Sequence, residues 1–109
     1  MIARKWGHAG TTCAIRHGVF GVPCGYVRVP EGHPFHRRGY DECEVDAWGG
    51  LTYSGALDGE DGWWLGFDMG HAGDLEHIPG TLDFLPLRTD DECVRETELL
   101  AERLAERGQ

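Results

Sequence analysis

The sequence predicts an α+β fold, an antiparallel sheet of about four to five strands with one C-terminal α-helix packed on it. Three observations predict it. Short runs of β-forming residues with two-residue alternation recur between residues 11 and 68. Turn residues, among them 17 glycines and 5 prolines, punctuate those runs. The clearest helical stripe comes last, in "TDDECVRETELLAERLAERG". A chain of 109 residues suffices for one core, so residues 1–109 read as a single domain.

Taken in order, "TTCAIRHGVFGVPCGYVRVP" reads as two short strands around Gly18. Residues 24–29 alternate, and Pro30 and Gly32 end that strand. "GHPFHRRGYDE" is a loop with one helical turn, since Pro34 suits a first helical position and holds His33 extended. In "CEVDAWGG", Cys43, Val45 and Ala47 alternate with Glu44, Asp46 and Trp48, as in a half-buried strand. Gly49-Gly50 then turns the chain into "LTYSG", so 43–55 is expected to be a hairpin. "ALDGEDG" is an exposed acidic loop, "WWLGFDM" the most apolar and central strand, and "GHAGDLEHIPGTLDFLP" irregular. Thr89 and Glu92 form a capping box. Val94, Thr97, Ala101 and Leu104, with Leu100 beside them, form the apolar stripe, and Gly108 stops the helix.

The formal net charge of −9 is unevenly spread. Residues 1–38 hold six Lys/Arg against one acid, net +5. Residues 39–87 hold eleven acids and no Lys or Arg, and residues 88–109 four Arg against seven acids. The middle segment therefore asks for cations from elsewhere. Arg28, Arg37 and Arg38 folding back would supply them; so would a metal ion or a cationic partner surface. Direct nucleic-acid binding is disfavoured, because phosphate contacts need a basic face. No apolar run spans a bilayer and "MIARKWGHAGTT" has no signal-peptide core, so a cytoplasmic protein without membrane attachment is expected. Cys13, Cys24, Cys43 and Cys93 form no CxxC pair and read as reduced, buried thiols.

The chemistry-bearing stretch is "WWLGFDMGHAGD". Alternation sends Trp63, Leu65 and Phe67 to one face and Trp64, Gly66 and Asp68 to the other. A bare Gly66 beside the Trp64 ring leaves room for a flat group to stack, unless the helix packs there and fills the gap. Asp68, His71 and Asp74 follow at three-residue steps, types that suit ligand binding, metal ligation, acid–base work or an ordinary turn. Tyr40 and Asp41 join the ligand-binding candidates. His33 and His36 are the metal-ligand candidates; alone they make no site, and Cys24, Asp68 or His71 would have to complete it. No GxSxG, P-loop or dinucleotide fingerprint is present.

Together, "CGYVRVPEGHP", "YDE", "GGLTYSG" and "WWLGFDMGHAGD" resemble a group of small uncharacterised proteins encoded by phages, prophages and bacteria. The resemblance covers about residues 23–75. That group's pattern has a histidine before the Gly-Gly pair, where this chain has Trp48, and Ala where this chain has Gly70. The resemblance implies an accessory protein in a host cytoplasm, of the kind that counters host defence, without implying a chemistry.

Three functions follow as expectations. The first is binding of a small, nucleotide-like ligand by Trp64, Asp68, His71, Asp74, Tyr40 and Asp41, with Arg28, Arg37 or Arg38 as donors to its anionic part. The second is an acidic inhibitor that docks on a host protein. The third is a hydrolase using a divalent metal, the one cofactor the residues suggest, through His33, His36, Asp68, His71 and Asp74.

Overall fold

A computed structural model describes residues 1–109. Five strands form one antiparallel sheet: β1 (Ile2–His8), β2 (Thr11–His17), β3 (Pro23–Val29), β4 (Tyr53–Leu57) and β5 (Glu60–Asp68), in the order β1-β2-β3-β5-β4. Two three-residue strands, β6 (Leu75–His77) and β7 (Phe84–Pro86), form a separate small hairpin. The single α-helix, α1 (Asp90–Arg107), closes the chain and packs across β3 and β2. No helix is long and apolar enough to cross a membrane.

The sheet's two faces bury different sets. Toward α1, Cys13, Ile15, Val27, Val29, Leu65, Phe67 and Met69 meet Cys93, Leu100, Ala101 and Leu104. Burying each large apolar side chain there contributes roughly 1.5–3 kcal/mol. The helix comes close because β3 carries Gly25 beneath it. A Cβ at Gly25 would overlap Thr97 Oγ1 and stand 2.6 Å from the Phe67 ring. On the other face Ala14, Val22, Cys24, Tyr26, Leu57 and Trp64 form a second, smaller core.

Helix α1 is held at both ends. Thr89 Oγ1 accepts from the Glu92 amide at 3.1 Å, and the Glu92 carboxylate accepts from the Thr89 amide at 3.0 Å. His17 and Asp90 meet at 2.9 Å beside that end. At the other end the His33 ring holds the Leu104 carbonyl at 2.7 Å. Midway, the Trp6 indole donates to Glu98 at 3.0 Å, fastening edge strand β1 to the helix.

Four expectations are corrected. Residues 43–48 form no strand. Cys43, Val45 and Ala47 do pack inward against the helix-side core, but as irregular chain without a ladder partner, in which the Val45 amide turns back onto the Cys43 carbonyl at 3.1 Å. The hairpin lies instead at "ALDGED", where Leu57 pairs with Glu60 around Asp58-Gly59 and Gly59 sits at φ 70°. Strand β5 is one place in from the edge, and β3 is central. The N-terminal segment, which no alternation marked, is edge strand β1, and the stretch read as irregular contains β6 and β7.

Candidate functional site

Strand β5 ends at Asp68, opposite Cys24 of β3. The Asp68 carboxylate accepts from the Gly70 amide at 3.0 Å, which turns the chain at once. Met69 drops into the helix-side core. His71 then swings back, its Nε2 3.7 Å from Asp68 Oδ1. Its ring lies over Gly49, where φ is 64° and any Cβ would collide with the imidazole. That packing leaves His71 Nε2 buried with no hydrogen-bond partner.

Asp74 has another role. It is 3% exposed, and its carboxylate is fully engaged. Arg88 Nε donates to it at 2.8 Å, the Trp48 indole N–H at 2.9 Å and the His71 amide at 3.3 Å. Burial pushes this carboxyl up, but the three donors and the Arg88 charge outweigh burial and hold it below its ordinary value. The Arg88 guanidinium also lies 5.3 Å from the Trp48 ring centroid. Asp74 is thus the knot joining the 68–74 loop, the Trp48-Gly49 turn and the segment before α1.

The expected aromatic platform is sealed. Trp64 does lie on the face away from α1, yet it is 0% exposed, with its indole N–H on the Asp61 carbonyl at 3.1 Å. The space beside Gly66 holds the Tyr26 ring, 2.5 Å from where a Cβ would stand. Tyr53 meets Tyr26 edge-on at 5.5 Å, and Arg16 covers both rings while bonding Asp58 at 3.2 Å. A cross-strand tyrosine, not the helix, fills the gap.

The other candidates lie apart. Tyr40 and Asp41 sit on a 3-10 turn beside β4, where the Tyr40 amide donates to Ser54 Oγ at 3.1 Å. His33 lies near the C-terminal end of α1 and His36 at the end of β3. His33 uses both nitrogens, accepting the Phe35 amide at Nδ1 and donating from Nε2 to Leu104. His36 Nδ1 donates to the Val29 carbonyl at 3.0 Å. No three His, Cys, Asp or Glu side chains converge with metal-holding geometry, so the five proposed ligands do not share one centre.

The acidic middle segment takes its cations mostly from unexpected places. Arg88 serves Asp74, Arg16 serves Asp58, Lys5 serves Glu60, and of the three arginines expected only Arg38 pairs, with Glu42.

Beside Asp68 there is an open cleft of about 340 Å³ walled by Val19, Phe20, Val22, Cys24 and Leu75. No Lys or Arg lines it. Phe20, at φ 59° in a 3-10 turn, meets Phe84 of β7 with ring centroids 5.3 Å apart. The hairpin beyond is unusually apolar for an exposed element: Leu82 is 91% exposed, and Ile78, Phe84, Leu85 and Leu87 are exposed with it. Val19, which lines the cleft with Phe20, is 73% exposed. The sequence reading missed these residues, although a run of apolar side chains in a loop with two prolines and no partner strand was the available signal.

No family model matches the chain, and neither a curated protein nor a solved structure matches it.

Proposed function

We propose that this protein is an acidic binding module that docks a partner protein through the Phe20–Phe84 surface and the cleft beside it. One observation carries the reading: large apolar side chains of the β6–β7 hairpin and of the Val19–Gly21 turn face solvent, beside a cleft whose one charged group is Asp68. Exposed apolar surface of this kind is kept where it is covered by a partner. The same segment has no Lys or Arg between residues 39 and 87, so a partner with apolar side chains and a basic rim complements it. The resemblance to phage-encoded proteins points to a host protein in that role. A nucleotide-like ligand has less support at this cleft, since its phosphate would find no cationic donor there.

The test is affinity capture with cross-linking from bacterial extract, comparing the wild type with a Phe20→Asp/Leu85→Asp variant. A protein should be retained by the wild type, be lost with the variant, and elute as salt rises. Identical captured sets from the two proteins would overturn the reading.

A further inference from the structure

A second cleft lies at the far end of the sheet from Asp68, where the β1–β2 turn, the end of β3 and the start of β5 meet. It measures about 440 Å³ and is lined by Thr12, Arg28, Glu31, His36, Asp61 and Gly62, together with neighbouring backbone. Volumes of this order suit a small molecule.

Its polar groups are unusual in what they lack. Arg28 makes no ion pair and no side-chain hydrogen bond, in a chain where nineteen acids outnumber ten Lys and Arg. Glu31 and Asp61 line the same cleft, yet neither comes within 4.0 Å of the guanidinium. The Thr12 hydroxyl is unpartnered as well. His36 donates from Nδ1 to Val29, so its neutral ring keeps a free lone pair on Nε2. The Arg28 side chain is steered by Gly62, which sits at φ 98° and where a Cβ would stand 2.6 Å from Nε. A bare residue at that point lets the guanidinium lie along the sheet toward the cleft.

Arg28 and Thr12 supply the donors that line this cleft. Glu31, Asp61 and His36 Nε2 supply the acceptors. Opposite charges that face one cavity without closing on each other match a ligand that carries both. A lone anion would leave two carboxylates facing it, and a lone cation would face the guanidinium. We infer that this cleft binds a small zwitterion of the α-amino acid class, its carboxylate on Arg28 and Thr12 and its ammonium on Glu31 and Asp61. An adjoining cleft of about 370 Å³ shares Thr11 and residues 28–31 and is walled by Ala101, Leu104 and Ala105 of α1. An apolar amino-acid side chain fits that direction.

Titration with leucine tests this, alongside 3-methylbutylamine and 4-methylpentanoate, which each keep one of its two charges. The readout is amide chemical shifts at Thr12, Gly62 and Gly32 in the full chain. Leucine should shift these amides saturably, and each half-ligand should bind at least tenfold more weakly. Arg28→Gln and Asp61→Asn should each weaken leucine binding at least tenfold with unchanged melting temperature. If leucine produces no saturable shift, or either half-ligand binds as well as leucine, the inference is overturned. The result is independent of the docking surface, which the Phe20→Asp/Leu85→Asp variant probes at the other end of the sheet.

Discussion

The Trp48 indole N–H donates to the Asp74 carboxylate at 2.9 Å, across 26 positions of chain. That bond, with Arg88 on the other carboxylate oxygen at 2.8 Å, turns an apparent site residue into a structural anchor. Asp74→Ala leaves the half-buried Trp48 and Arg88 donors unpaired and is expected to cost about 2–4 kcal/mol. Urea denaturation measures it, and an effect under 1 kcal/mol contradicts the anchor role.

The same carboxyl sets an acid limb. Its folded pKa lies below the ordinary 3.8, so its contribution is fully present above that value. It is lost as pH falls through the lower folded value. Wild-type stability should therefore drop below about pH 4 more steeply than that of Asp74→Asn, which has no proton to take up there. Thermal melts at pH 2.5–7 decide it, and parallel acid limbs would refute the assignment.

Gly25 and Thr97 mark the closest approach of helix and sheet. Gly25→Ala forces its methyl against Thr97 Oγ1 and the Phe67 ring, with an expected cost of about 3 kcal/mol or more. Thr97→Ala frees part of that space. The double variant should be more stable than the sum of the single effects implies, by about 1 kcal/mol, and simple additivity would show that the two residues do not collide.

The four cysteines are free and buried. Burial pushes Cys13 and Cys93 up to about 12, so at pH 8 they are thiols, not thiolates. A disulfide reagent should label Cys13 and Cys93 only as fast as the protein opens, and at once in guanidinium chloride. Rapid labelling of either in the native protein contradicts the burial.

Filling Trp64's neighbourhood differently would restore the platform that alternation suggested. Tyr26→Ala removes the ring that occupies the space beside Gly66 and is expected to destabilise by about 3–4 kcal/mol, as a large-to-small core change does. A fall in stability with a red-shifted tryptophan emission is the expected signature; unchanged emission would mean that Tyr26 does not seal Trp64.

Local pattern determined much of this molecule. The Thr89–Glu92 box and the stripe from Val94 to Leu104 specify α1, because capping and a 3.6-residue period are settled within a few residues of chain. The alternation in β5 likewise assigns Trp63, Leu65 and Phe67 to the helix side and Trp64 to the other. Cys43, Val45 and Ala47 turn inward too, though no strand lies beside them and Trp48, of the opposite phase, packs on the same core. What lies against each of these faces was decided only by the tertiary structure. Tyr26 closes over Gly66 because β3 and β5 pair in one register, bringing together residues forty apart in sequence. Arg88 rather than Arg28 neutralises Asp74, and His33 ends beside Leu104 instead of His71, for the same reason. Which partner a side chain meets depends on strand order and chain crossing, and no short window of sequence carries that information.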